Sequence, residues 1–438
     1  MADYRGTRVL VMGLGLHGGG LGVARFFCER GAIVTVTDLR EAAELESSLA
    51  ALAEFDIDLV LGRHRESDFK EADLIIRNPA VPENSEFLRI ARQHGIPVDM
   101  EMGIFFGECD RDHIIGVTGT RGKSTTATFI HYLLGEHGVD AVLAGNIRRS
   151  AVALLGVLGP KDTVVLELSS WQLESLEQHG ISPAVAVVTN VLPDHLNRYP
   201  VMESYAAAKT PIVRYQRPGD LAVLNRNNSR VAGFSDITTA EVIWFSDDDT
   251  VPGWERARIA GDHNRANLAA AIAATARFGI PESTIARAVE SFPGVPYRLQ
   301  SVGEKEGVRY VNDTCATTPD ATLAALNTVP GPVVLIAGGS DKLLDFDILG
   351  RRIHQMGNQM RSVILLPGAG TEKLLRVLPG GLSREASSME EAVRLAAGAA
   401  QVGDVVLLSP ACASFGLFQN EFDRGDQFNQ YVESLRNG

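Results

Sequence analysis

Cysteine is scarce in this chain of 438 residues, and the four present (Cys28, Cys109, Cys315 and Cys412) stand far apart with no CxxC pair. That argues against a disulfide framework or a zinc ribbon and favours a reducing compartment. No apolar run is long enough to cross a bilayer, so membrane insertion is not expected. The opening MADYRGTRVLVMG has no basic start, apolar core or cleavage site and runs straight into a strand pattern, so the expected location is the cytoplasm. Basic charge is short as well. A net charge of −13 makes nucleic acid a poor partner, because phosphate contacts need a basic face. Anionic small ligands stay open, through local cations and helix N-termini. What the chain does have is apolar content of 45% with 22% charged residues, enough for several cores. Its length suggests about three domains.

The chain is organised around residues 112–126, DHIIGVTGTRGKSTT. Ile114, Ile115 and Val117 read as a strand, Gly119 and Gly122 as a turn, and Phe129, Ile130, Leu133 and Leu134 as one face of a helix. A strand, a glycine loop and a helix in that order form a phosphate cradle. Backbone N–H groups face the anion, Lys123 adds a point charge, and the hydroxyl of Ser124 or Thr125 suits Mg²⁺. Val117 stands where a strict Walker A pattern has its first glycine, so a tight turn with a chance GKST is the competing reading.

Before it, Val9–Met12 leads into Gly13, Gly15 and Gly18, and a second strand from Ile33 ends at Asp38. That is a Rossmann-type start. It predicts a nucleotide or pyrophosphate at the loop, with a nicotinamide site the obvious guess; an empty βα turn is the alternative. Residues 72–76 and GIPVDM read as further strands. The stretch EMGIFFGECDRD, acidic and punctuated by glycine, reads as the link to the next domain. Beyond the phosphate loop, DTVVLELSSWQLE is a buried strand interrupted by Glu167. A carboxylate there is costly unless it is paired or on a metal, and a surface strand end is the alternative. The strand PAVAVVTNVLPDHLNRYP ends in Asn190, Asp194, His195, Asn197 and Arg198. Such polar crowding past a parallel strand is where α/β proteins place ligands. Residues 203–215 read as one helix carrying Lys209, which by itself reads as a solvated charge. In DHNRAN, Asp262 or Asn264 reads as an N-cap, with base contacts by Asn264 and Asn267 as the alternative. From about residue 299, four strand–loop–helix units predict another doubly wound parallel sheet.

The segments GVTGTRGKSTT, LELSSWQLE, NVLPDHLNRYP, SYAAAK, DHNRAN, PYR, NDTCATTPDAT and SPACASFGLFQNEFDRG occur in one order and closely resemble the Mur ligase family over essentially the whole chain. The resemblance implies an α/β protein of three domains. Residues 1–107 would be a Rossmann-like domain binding the UDP-sugar substrate. Residues 108–298 would be a P-loop ATPase-type domain holding ATP and two Mg²⁺ ions. Residues 299–438 would be a Rossmann-like domain binding the amino acid. ATP would be held by Gly119, Thr120, Arg121, Gly122, Lys123, Ser124 and Thr125, with Asn264, Asn267, Arg298 and Asp313 on the nucleoside and phosphates. Ser124, Glu167, His195 and a carbamate on Lys209 would serve the metals, and Lys123, His195 and Lys209 would be the catalytic set. Leu16, His17, Asp38 and Arg40 would lie near the uridine nucleotide, and Gly145 and Asn146 near the muramoyl and pyrophosphate part. Thr317, Lys342, Ser414 and Phe415 would face glutamate. The chain departs from the family pattern at Arg121, where asparagine is usual, at Arg148, at Cys315 in place of a lysine, and at Glu421 in place of an aromatic residue.

The implied activity is ATP-dependent ligation of D-glutamate to UDP-N-acetylmuramoyl-L-alanine through an acyl phosphate. It would be a step of peptidoglycan precursor synthesis, and so of cell-wall growth and division, carried out by a monomer. The alternatives are a related ligase using L-glutamate or another amino acid, a folylpolyglutamate-type ligase, a P-loop ATPase or GTPase switch, and a nicotinamide dehydrogenase. The last two leave most of these residues idle.

Overall fold

The computed structural model describes residues 3–15, 19–147, 149–159, 161–194, 199, 201–259, 261–341, 344–414 and 416–436. The described residues form three sheets, and the chain divides into two compact units, Met1–Phe292 and Pro293–Gly438. The first unit holds two sheets and the second unit holds one.

The first sheet has five parallel strands in the order Ile57–Leu61, Ile33–Asp38, Arg8–Met12, Leu74–Arg77, Val98–Asp99. Arg8–Met12 is a continuous apolar run because helices cover both of its faces, with Val9 and Val11 in one core and Leu10 and Met12 in another. The second sheet has six parallel strands, ordered Glu241–Phe245, Leu221–Asn225, Val185–Val188, Ile114–Thr118, Thr163–Glu167, Ala141–Gly145. Ile114–Thr118 lies between Val185–Val188 and Thr163–Glu167, where the strand order reverses. That is the position at which an open α/β sheet leaves a crevice beyond the strands' carboxyl ends.

The third sheet runs Gln300–Lys305, Val308–Asn312, Val405–Leu408, Val333–Gly338, Met360–Leu366, Ser383–Glu385. It is the expected parallel sheet with one antiparallel strand added at its edge. Gln300–Lys305 pairs antiparallel with Val308–Asn312, joined by Glu306 and Gly307 at φ 51° and 73°. Two left-handed residues make the tight hairpin turn that suits twisted strands.

Two further expectations change. The stretch expected as a domain link contains the helix Glu101–Glu108, with Met102, Ile104, Phe105 and Phe106 buried. Its acids and glycines suggested a linker, but its apolar residues decide the outcome. Behind it, Arg111 is buried, donates through Nε to Ser182 O at 2.7 Å and pairs with Asp220. The single helix expected over residues 203–215 is two short ones, Met202–Ala207 and Pro211–Arg214. Pro211 opens the second, at a position where its missing N–H costs nothing. Lys209 falls in the joint between them.

Candidate active site

The strand Ile114–Thr118 ends at the loop of Gly119 to Gly122, and the helix Lys123–Glu136 starts there. Both glycines are dictated by neighbours. A Cβ on Gly119 would lie 1.9 Å from Thr189 Oγ1, and one on Gly122 would lie 2.2 Å from Asn267 Oδ1. The segment after Val185–Val188 clasps this loop. Thr120 N donates to Asn190 O at 2.8 Å. Arg121 N donates to Asn190 Oδ1 at 2.9 Å, and Asn190 Nδ2 donates back to Arg121 O at 3.1 Å. Thr189 Oγ1 donates to Arg121 O at 2.6 Å. The cradle is therefore preorganised by protein contacts. Ser124 and Thr125 lie in the first helical turn, where backbone N–H groups have no intrahelical partner and favour an anion.

Two lysines converge on one carbonyl. Lys123 Nζ donates to Gly119 O at 3.0 Å and to Thr120 O at 3.1 Å. Lys209 Nζ donates to the same Gly119 O at 3.2 Å. Lys209 is only 1% exposed, which overturns its reading as a solvated charge. Burial, reinforced by the nearby Lys123 cation and opposed by Asp194, brings its amine down to about 7. Much of it is thus neutral at neutral pH. Arg121 turns the other way. Its side chain is 73% exposed and reaches Asp194 only at 3.5 Å.

Glu167 closes the strand Thr163–Glu167, 2% exposed, so it is not a surface strand end. Its Oε1 accepts from Asn146 Nδ2 at 3.0 Å. Its Oε2 is buried and takes no hydrogen bond among the described residues. A half-satisfied buried carboxylate is costly, and a hard cation is the chemistry that would satisfy it. No cluster of three or more His, Cys, Asp or Glu suited to a metal forms among the described residues, and His195 lies outside them. Gly145 and Asn146 stand at the end of the neighbouring strand, so Asn146 meets Glu167 directly.

Asn264 and Asn267 lie in the first turns of the helix Asp262–Ala274, with Asn267 Nδ2 and Asn264 Oδ1 3.5 Å apart. The expected cap is not made: Gly261 holds the N-cap position, without a side-chain hydrogen bond. Asn267 instead packs against the phosphate loop, and its carbonyl accepts from Thr126 Oγ1 at 3.3 Å.

In the first sheet, Asp38 is buried at the end of Ile33–Asp38. It accepts from Gly15 N at 3.2 Å and Arg40 N at 3.0 Å, with Arg40 Nη1 3.5 Å away. The glycine loop and the acidic strand end therefore meet. Leu16 and His17 lie outside the described residues.

In the second unit, Arg298 sits between Tyr297 and Leu299, both left-handed at φ 64° and 44°. Such backbone strain concentrates at functional sites. Asp313 accepts from Leu299 N at 3.1 Å and Ser409 Oγ at 2.9 Å. Burial pushes its carboxyl up to about 6, against those hydrogen bonds and the charge of Arg298. Thr317 N donates to Cys315 O at 2.9 Å, and Ser414 is buried in the segment after Val405–Leu408. Lys342 and Phe415, like Arg148, lie outside the described residues. The sequence reading missed Arg424. It is fully buried and donates to Thr314 Oγ1 at 3.0 Å, Thr314 O at 2.9 Å and Cys412 O at 3.2 Å, stitching two loops together. Its only signal was the DRG in the last motif, which gives no hint of burial. Phe422, beside Glu421, packs its ring edge-on against Tyr297 at 5.4 Å.

These features define an α/β protein with a preorganised phosphate loop at a sheet's switch point, flanked by a buried amine and a half-satisfied carboxylate. Three family models match in order: the Mur ligase MurD-like N-terminal domain over residues 7–99, the Mur ligase middle domain over 117–258, and the Mur ligase glutamate ligase domain over 297–412. The chain is 46% identical to a UDP-N-acetylmuramoylalanine--D-glutamate ligase of Roseiflexus sp. (strain RS-1), covering 98% of this chain and 99% of that one. It is 35% identical to the protein of the same name from Pelotomaculum thermopropionicum, over 100% of both chains. Among solved structures, the UDP-N-acetylmuramate-alanine ligase of Thermotoga maritima shares the fold, with a TM-score of 0.61 at 19% identity over 98% and 99% of the two chains. The MurF ligase of Thermotoga maritima, solved in complex with ADP, gives 0.55 at 16% identity over 92% and 96%. The chain belongs to the Mur ligase family.

Proposed function

We propose that this chain joins the amine of D-glutamate to the carboxylate of UDP-N-acetylmuramoyl-L-alanine at the expense of ATP, in peptidoglycan precursor synthesis. The observation that carries this reading is full-length likeness, at 46% identity, to a ligase named for that reaction. The geometry around Gly119 supports the reading.

A carboxylate is a poor acyl donor. Transfer of the γ-phosphoryl group to it makes an acyl phosphate, the amine attacks, and phosphate leaves from the tetrahedral intermediate. Two anions must meet for the first step, so cations and fixed dipoles do most of the work. In our reading Lys123 and the N–H groups of residues 119–125 hold the ATP phosphates. Asn264 and Asn267, from the helix Asp262–Ala274, are assigned to the nucleoside, and Arg298 and Asp313 are likewise assigned to ATP.

Ser124, Glu167, His195 and a carbamylated Lys209 are the residues we assign to two Mg²⁺ ions. Bound Mg²⁺ would offset the repulsion between the two anions. The orphan Oε2 of Glu167 fits that assignment. So does Lys209: carbamylation needs a neutral amine, and an amine brought to about 7 provides one. The carbamate converts a cation into an anionic oxygen donor and relieves the repulsion with Lys123. His195 is assigned to orienting metal and phosphate.

By the same reading residues 1–107 bind the UDP part through Leu16, His17, Asp38 and Arg40, and residues 108–298 bind ATP and metal. Residues 299–438 bind glutamate through Thr317, Lys342, Ser414 and Phe415. Gly145 and Asn146 face the muramoyl part. We place the reaction in the cytoplasm, on a monomer; the four widely spaced cysteines, with no CxxC pair, support a reducing compartment. A phosphate-release assay with ATP, UDP-N-acetylmuramoyl-L-alanine and a panel of D- and L-amino acids tests the assignment. Release should require both the UDP-substrate and D-glutamate. Equal release with L-glutamate or another amino acid would reassign the specificity, and release indifferent to the UDP-substrate would favour a plain ATPase.

A further inference from the structure

The glycine-rich stretch after the first strand continues beyond its fingerprint as Gly19, Gly20 and Gly22, at the start of the helix Gly19–Glu29. Gly19 and Gly22 lie three apart, on one face of that helix. A Cβ on Gly22 would lie 2.1 Å from Ser150 Oγ, and one on Gly19 would lie 3.5 Å from Glu101 Oε2. The missing side chain of Gly22 therefore makes room for Ser150, from the second sheet's loops, while Gly19 stands at ordinary contact distance from Glu101.

Glu101 is the first residue of the helix Glu101–Glu108 and is buried. Its Oε1 accepts from Ser150 Oγ at 2.6 Å, from Ala151 N at 2.7 Å and from Val152 N at 3.5 Å. From there the contacts run back toward the active site. Gly145 N donates to Arg149 O at 3.0 Å, which closes the loop on itself. Asn146 N donates to Glu167 O at 2.8 Å, and Asn146 Nδ2 donates to Glu167 Oε1 at 3.0 Å. That last bond leaves Oε2 as the open oxygen.

We propose that Glu101 is a positioning residue for the ligase reaction: by fixing Ser150 and Ala151 it sets the loop that carries Asn146, and through Asn146 the orientation of Glu167. The proposal rests on the assignment of Glu167 to a metal. Adhesion alone would not need a buried carboxylate, because an apolar side chain would join the two surfaces without the desolvation cost. Three donors converging on one oxygen fix a position. A second joint between the first two sheets makes the contrast. There Asp99 accepts from Ser175 Oγ at 3.1 Å and meets His179 Nε2 at 2.9 Å, while Arg77 pairs with Glu174 at 2.9 Å. These contacts grip the helix Ser170–His179 and none of them engages the loop that carries Asn146.

The test compares the two joints. Mn²⁺ binding in the presence of ADP, followed by electron paramagnetic resonance, reads the metal site without turnover, and the Mg²⁺ dependence of kcat reads it in the reaction. Glu101→Ala should weaken Mn²⁺ binding about tenfold and raise the half-saturating Mg²⁺ by a similar factor, the usual scale for a group behind a metal ligand. Glu101→Gln keeps an acceptor oxygen for Ser150 and Ala151 and should restore most of that affinity. Asp99→Asn should lower the melting temperature and leave Mn²⁺ affinity unchanged. Should Glu101→Ala fail to fold, Ser150→Ala, which removes one of the three donors, should shift Mn²⁺ affinity in the same direction by a smaller factor. Wild-type Mn²⁺ affinity in folded Glu101→Ala or in Ser150→Ala, or an equal loss in Asp99→Asn, would overturn the proposal. Glu167→Gln separates the two levels. If it weakens Mn²⁺ binding while Glu101→Ala does not, only the positioning role falls. If it leaves Mn²⁺ binding intact, the metal assignment falls and the positioning role with it.

Discussion

The first and second sheets both follow a buried strand with a glycine-rich stretch of sequence and then a helix, and they use it differently. In the second sheet the loop glycines admit Thr189 and Asn267, and Lys123 Nζ folds over the loop carbonyls. In the first sheet Gly13 admits Asn78, and Gly20 closes on the backbone of Gly13 and Leu14. Gly22 admits Ser150, and the carboxylate of Asp38 takes the Gly15 N–H. One loop keeps a lysine cation over its carbonyls, while the other has spent a donor on its own acid. The glycines report close approach in both, and the polar residues around them decide what approaches.

The largest expected effect on this contrast comes from Lys209→Ala, which should lower ligation by about a thousandfold or more by removing the proposed carbamate. Added short carboxylates should recover part of the loss, and a phosphate-release assay with and without them checks both points. Full activity without rescue would end the carbamate role. Lys123→Ala should come next. A loss of about a hundredfold in kcat/KM is the scale of one preorganised charge on a transferring group, and ATP binding measured by calorimetry should weaken with it. Asp38→Ala should act on the other loop, raising KM for the UDP-substrate about tenfold, the scale of one lost hydrogen-bonding charge, with ATP affinity unchanged. Equal weakening of both ligands would erase the division of labour between the two loops.

The smallest expected effect is on stability, at Asp313. Its folded value of about 6 lies above the usual aspartate value. Between about pH 4 and 6 the folded state therefore keeps a proton that the unfolded state has lost. Its contribution to stability is full below that window and falls as pH rises through it. Asp313→Asn should flatten that fall, by on the order of 1 kcal/mol in urea titrations across the window. An unchanged slope would mean that burial does not hold the carboxyl neutral.

The sequence carried the three α/β layers well, because each central strand is a short apolar run ending at glycines or polar groups. It also carried the phosphate loop, whose strand, glycines and GKST are contiguous. Contacts made across the chain were the part it could not show. Lys209 looked like a solvated charge until a broken helix turned it onto Gly119 O, 90 residues away in sequence. Glu101 sat in what read as a linker, since its donors lie about 50 residues further on. Arg424 reached Thr314 across 110 residues. Arg121, the departure closest to the phosphate loop, resolves more simply. Its backbone is clasped by Asn190 and its side chain is left largely in solvent.

The central claim is that the buried amine of Lys209 is neutral enough to become an oxygen ligand. Carbon-13 NMR of the enzyme equilibrated with labelled bicarbonate tests it most directly. The account predicts one carbamate signal per chain, strengthening as pH rises through about 7 and absent from Lys209→Ala. A wild-type spectrum without that signal, or a signal that survives in Lys209→Ala, would contradict it.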